Sequence, residues 1–292
     1  MKKIQLILTK VFSISLVVVL LSSCTKNEEN KMQEETSKYA IAVSDNIIST
    51  YKSIDSLTIE DKFNQDMMEV LSNPFPDSTE APDKSKQDFG VALNLRIEAF
   101  RLLKDVFVKF HLISDINFDD SESSTDAMMQ SYSAIKDNAK HTITDDGVFN
   151  SMKRSDAIGE HSEFIYTITD QFLTVWKNDT AVWNKLIDRI YDDYMLFYAS
   201  LPAKKFDIEK VKKLTEAEPY SNSVVLVNLY KIKVRKEAEQ RKFKLKNNLD
   251  LLTKSFEFVT NAFKELSAKD VNQANVVSYL NRTKESLDQM NK

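Results

Sequence analysis

The chain has 292 residues, 42% of them hydrophobic and 29% charged, a balance that fits a well-cored globular protein rather than a disordered chain. With only 3 glycines and 5 prolines and a net charge of −4, it excludes turn-rich sandwiches, barrels and doubly wound sheets, whose tight turns need residues with φ > 0. Gly90, Gly147 and Gly159 stand too far apart to cradle a phosphate, so the composition predicts an all-α fold.

The first 24 residues read as a leader. Lys2 and Lys3 form a positive start, Val11 to Leu21 an apolar stretch, and Ser22 and Ser23 small residues before a possible cut. Leu21-Ser22-Ser23-Cys24 resembles the lipobox of bacterial lipoprotein signal peptides. That resemblance implies that Cys24 becomes the first mature residue and carries acyl chains, palmitate among them. It covers residues 1–24 alone. Cys24 is also the single cysteine of the chain, so no disulfide within the chain can form. The alternatives are an ordinary secretory signal or an uncleaved anchor helix, and Lys10 weighs against the latter.

Removal of residues 1–23 takes away Lys2, Lys3 and Lys10 and leaves 37 basic against 44 acidic residues, a net charge of −7. Such a balance argues against a general nucleic-acid binder. The stretch 24–36, TKNEENKMQEE after the cysteine, reads as a polar tether. It is similar to the acidic post-cysteine segment that some Bacteroidota lipoproteins use for surface export.

Residues 37–292 are expected to form one elongated helical bundle of six to eight helices, two of them long. Tyr39, Val43, Ile47, Tyr51 and Ile54 step by three and four along a first helix from about Glu29 to Ile54. A short helix around Phe63 to Leu71 precedes a proline-rich loop, and Ser85 to Ile113 forms a second apolar helix with Phe89, Leu93, Phe100, Leu103, Phe107 and Phe110 inward. A further short helix spans Met128 to Ile135.

From Asp156 to Ser200, Phe164, Ile168, Phe172, Val175, Val182, Leu186, Ile190 and Phe197 keep one helical phase, with Trp176 and Trp183 along its edge. This is either one helix or two, broken at Asn178-Asp179-Thr180. A short helix near Asp207 to Leu214, a helix of about 45 residues ending near Ala268, and a last one from Asp270 to Gln289 complete the chain.

Four features carry candidate chemistry. Asp115, Asn117, Asp119, Ser121, Ser123 and Asp126 occupy positions 1, 3, 5, 7, 9 and 12 of a loop that resembles an EF-hand and could take calcium. Asp120 stands where that loop needs glycine, Glu122 where it needs an apolar residue, and Asp126 where it needs glutamate. The other reading is a solvated acidic loop whose Ser124 or Thr125 caps the next helix.

Lys231, Arg235, Lys242 and Lys246 project to one flank of the long helix and are candidates for an anionic partner, or simply a solvated edge. Arg241 and Asp179 fall inside apolar stripes of their helices. A charge facing a core needs a partner, so these two are expected to pair, joining the helices. Asp55-Ser56-Leu57, Asp77-Ser78-Thr79 and Asp179-Thr180-Ala181 resemble the acceptor tripeptide of Bacteroidota O-glycosylation, a reading that conflicts with burial of Asp179.

Gly159-Glu160-His161-Ser162-Glu163 is similar to the Gly-x-His-x-x-Glu motif of imelysin-like helical lipoproteins, but its second acid comes one residue early and nothing further is carried over. His111, His141 and His161 have no Glu three residues before them, as di-iron bundles require. No cofactor beyond calcium is expected, and no enzyme. The expected role is binding or scaffolding by a lipoprotein anchored in a bacterial cell envelope, on the outer membrane, with an envelope protein or glycan as partner. The alternatives are an accessory subunit of a secretion or conjugation machine and an unrecognised metal-dependent or hydrolytic enzyme.

Overall fold

A computed structural model describes residues 28–59, 84–114, 130, 133, 158–200 and 224–290. Among these residues the protein is all-helical, without strands. Five helices can be given ranges among the described residues: α1 (28–59), α2 (Lys84–Ser114), α3 (Ile158–Ser200), α4 (Val224–Leu266) and α5 (Gln273–Met290). The short helices expected near 63–71, 128–135 and 207–214 lie outside the described residues, apart from Gln130 and Ser133, both helical.

Residues 28–36, inside the stretch expected as tether, are helical, and Met32, Gln33, Thr36 and Ser37 are buried. Burial of the two hydroxyls among them is tolerated because both are hydrogen-bonded. The Thr36 and Ser37 hydroxyls donate to the carbonyls of Met32 and Gln33, four residues back, at 2.7 and 2.8 Å. Ser44, Ser114, Thr169 and Thr260 repeat the device.

The residues cluster as two compact units. Unit 1 takes in residues up to Ile48, Glu98–Val175 and Leu252–Lys292; unit 2 takes in Ser49–Ile97 and Trp176–Leu251. In unit 1 the core is an aromatic column. Phe100 of α2 meets Phe172 of α3 edge-on at 5.0 Å, while Phe107 stacks on Phe263 of α4 at 5.7 Å and Phe110 meets the same ring at 5.9 Å. All five rings are fully buried. Gln33 Nε2 donates to Ser162 Oγ at 3.0 Å, tying α1 to α3.

Between α4 and α5 the helix ends are closed without glycine. Ser267 Oγ donates to the Lys264 carbonyl at the end of α4, and Asn272 Oδ1 accepts the amide of Asn275 as the N-cap of α5. Along α5, Val276, Leu280 and Thr283 face inward at helical spacing.

α3 is a single helix of 43 residues, continuous through Asn178-Asp179-Thr180. Its buried line departs from the expected stripe. Trp176, Thr180, Trp183, Ile187 and Ile190 are buried, whereas Val182 is 60% exposed. These buried residues step alternately by four and three, a 3.5-residue repeat that drifts by about 20° per heptad against a straight 3.6-residue helix. Phe164, Ile168, Phe172 and Ile190 of the expected stripe are buried as well, so the departure is local: at Val182 the two large indoles take the inward place.

Phe263→Ala should destabilise the protein by about 3–5 kcal/mol, whereas Val182→Ser should change stability by no more than about 0.5 kcal/mol; urea unfolding of the two variants tests the placement. A methyl group added at Gly90 of α2 meets no atom within 4 Å. Gly90→Ala should accordingly raise stability by about 0.5–1 kcal/mol, seen as a higher urea midpoint.

Candidate functional site

Unit 2 holds a buried tyrosine bonded to a carboxylate that an arginine also engages. Tyr51, near the C-terminal end of α1, is wholly buried. Its ring lies edge-on to Trp183 at 4.6 Å and to Trp176 at 5.8 Å, and the two indoles meet each other edge-on at 5.4 Å. Edge-on contacts set the positive rim of one ring against the negative face of the next.

The Tyr51 hydroxyl donates to Asp179 Oδ2 at 2.7 Å, and Arg96 Nε of α2 donates to the same oxygen at 3.0 Å. The partner of Asp179 is therefore Arg96, not Arg241 as the sequence suggests. Burial pushes the Tyr51 hydroxyl well above its usual range, and the Asp179 charge and hydrogen bond add to this while Arg96 opposes it. A phenol so placed stays protonated at neutral pH and is shut away from substrate, so it joins helices rather than acting as a nucleophile.

Arg241 is exposed because the apolar stripe of α4 opens there onto a small groove. Leu57, Ile190, Val234 and Ala238 contribute its apolar lining, while Tyr191, Tyr194, Glu237 and Arg241 add polar groups. The guanidinium reaches water along the groove, so it needs no buried counter-charge. The groove encloses about 50 Å³, room for one side chain rather than for a drug-sized ligand, whose pockets run to about 300–1,000 Å³.

The basic flank of α4 is largely neutralised within the fold. Lys242 Nζ lies 2.9 Å from Asp188 Oδ1 and 3.6 Å from Asp192 Oδ1, and Lys246 Nζ lies 2.6 Å from Asp188 Oδ2. Hydrogen bonds from Lys246 and then Lys242 hold the Asp188 carboxyl below its usual range, and Asp188 in turn raises Lys242. Arg235 pairs with Glu239 at 2.9 Å, one turn on. Of the four residues expected to meet an anionic partner, Arg235, Lys242 and Lys246 are thus engaged by acids of the same unit, and Lys231 is not free either. Residues of α3 supply Asp188 and Asp192, which is why α4 alone could not reveal it.

Thr180 of the Asp179-Thr180-Ala181 tripeptide is buried and donates to the Lys177 carbonyl at 3.0 Å, so it is not presented as a glycan acceptor. Ser56 is exposed on α1, and Asp77-Ser78-Thr79 lies outside the described residues. So do Cys24 and the acidic loop with Asp115, Asn117, Asp119, Ser121, Ser123 and Asp126. His161 is buried in unit 1 beside Ser162. Among the described residues no group of three or more His, Cys, Asp or Glu side chains could hold a metal ion.

Asp179→Ala should cost about 2–3 kcal/mol, because it leaves the Tyr51 hydroxyl and Arg96 without their shared acceptor, while Tyr51→Phe should cost about 1 kcal/mol. Arg241→Ala should be nearly neutral; a large loss there would revive the Asp179–Arg241 pair. The two shifted pKa values also set the pH limits of stability. Tyr51 is raised, so its contribution is complete below its unfolded value of 10.0 and is lost as pH climbs above it. Asp188 is lowered, so its contribution is present above 3.8 and is lost as pH falls below it. Urea midpoints measured across pH for Tyr51→Phe and Asp188→Asn should show each slope flattened at its own end of the range.

Comparison with known protein families, with curated proteins and with solved structures finds no match to this chain.

Proposed function

We propose that the protein is a lipoprotein anchored in a bacterial cell envelope, on the outer membrane, and that its helical fold binds or scaffolds an envelope partner, protein or glycan, without catalysing a reaction. The observation that carries this reading is Leu21-Ser22-Ser23-Cys24, with the chain's one cysteine at the acylated position of a lipobox. Among the described residues no helix is long and apolar enough to cross a membrane; the reading places attachment at Cys24. The polar groups of unit 2 support a joining role, since Tyr51, Asp179, Arg96 and Asp188 are spent on contacts between helices. Calcium at the acidic loop remains part of the proposal as a cofactor outside the described residues.

A second reading, an accessory subunit of a secretion or conjugation machine, draws on the two helices of 43 residues. Long helices suit arms that lie along other subunits.

Expression of the full chain in a bacterium fed labelled palmitate should give a labelled, membrane-fractionating protein. Cys24→Ala should abolish both label and membrane retention. An unlabelled wild-type chain would defeat the lipoprotein reading. Detergent extraction of the labelled protein followed by a pull-down separates the two roles: a stoichiometric membrane complex favours the machine.

A further inference from the structure

α4 in unit 2 carries apolar residues on two opposite sides. Val234, Ala238 and Leu249 are buried. Successive residues turn by about 100°, which places Leu229, Ile232 and Phe243 on the far side of the helix. There they are 53%, 63% and 74% exposed. Large exposed side chains aligned on one outward face signal a contact surface rather than scattered surface residues.

The same face carries lysines, with exposed Asp250, at the angle of Ile232, as an acid toward its C-terminal end. Lys236 lies between Ile232 and Phe243, and Lys244 borders it; both are exposed and neither has a hydrogen-bond or ion-pair partner among the described residues. Lys233 borders the face as well, 3.7 Å from Glu237. Glu239, at the opposite edge, is taken by Arg235. The lysines free to meet an anion are therefore not those engaged by Asp188, Asp192 and Glu239.

We infer that the outward face of α4, with Leu229, Ile232, Lys236, Phe243 and Lys244, rests on an anionic phospholipid surface, its apolar side chains entering the headgroup boundary and its lysines meeting the phosphates. Interfacial helices combine these two features. A second copy of the chain fits the face poorly. Pairing of α4 with its equivalent would set Lys236 and Lys244 of one copy against the same two lysines of the other, and Lys236 and Gln240 interrupt the apolar seam that a coiled coil requires. The choice of a bilayer over an acidic protein rests on the lipid-anchored reading. One acyl anchor plus a basic patch is the usual pairing for stable attachment.

The test uses the chain from residue 25 onward, which keeps every described helix and lacks the acylation site. Co-sedimentation with phosphatidylcholine vesicles, with and without phosphatidylglycerol, measures partitioning. Wild type is expected on the anionic vesicles and far less on the neutral ones. Lys236→Gln with Lys244→Gln should weaken binding roughly 30-fold, and Phe243→Ser roughly tenfold. These side chains are exposed, and unchanged urea midpoints would show that folding is intact. Absent binding, equal binding to both vesicles, or variants that bind like wild type would overturn the inference. So would a dimer in light scattering that Phe243→Ser dissociates, since a second copy would then cover the face. Labelling of Cys24 in cells is read separately, so loss of the vesicle result with acylation intact sinks this inference alone, and the reverse sinks only the lipoprotein reading.

Discussion

The helical run of α3 through unit 2 depends on a single carboxylate oxygen. Asn178-Asp179-Thr180 is a stretch where a helix readily ends, because short polar side chains compete for the backbone. Here Oδ2 of Asp179 is taken instead by the Tyr51 hydroxyl and by Arg96 Nε, one from α1 and one from α2. With Asp179 held away from its own backbone and Thr180 bonded to the Lys177 carbonyl, the helix continues. Trp176 and Trp183 then fall on the same side, two turns apart, and close on Tyr51. The ion pair is partly exposed, so its Coulomb attraction is screened. Its larger effect is to satisfy a hydroxyl that burial would otherwise leave costly.

Unit 1 solves the same problem by different means. Its core is built from phenylalanines, which need no hydrogen-bond partner, and most polar residues admitted to it are small, Gln33 and His161 being exceptions. The hydroxyls of Thr36, Thr169 and Thr260 return to carbonyls of the preceding turn, while Gln33 reaches across to Ser162 of α3. That economy explains how EENKMQEETS, polar but for Met32, can be helical and pack Met32, Thr36 and Ser37 inside.

Charge on α4 is divided by the same logic. Lys242 and Lys246 point toward α3, where Asp188 receives both and Asp192 shares Lys242. The opposite side of the helix has no neighbour among the described residues to neutralise Lys236 and Lys244 or to cover Phe243. Basic residues that look alike along the sequence therefore have different roles, those beside α3 holding helices together and those facing outward available to an anion.

The sequence by itself determined that the protein is helical, roughly where its long helices run, and most of the phenylalanine core. Scarce glycine and proline leave few places to turn, and apolar residues every three or four positions bury one side of a helix whatever its neighbours are. Its lipobox also carries the proposed address, because a signal is read as linear sequence. Only the tertiary structure decided that α3 is one helix, that its buried line follows Trp176 and Trp183 rather than Val182, that Asp179 belongs to Arg96, and that Arg241 opens onto a groove. Each of these turns on which side chain comes within a few ångströms of another from a distant stretch of chain. Periodicity gives the face on which a residue stands, but a charge is paired or free according to what packs against that face.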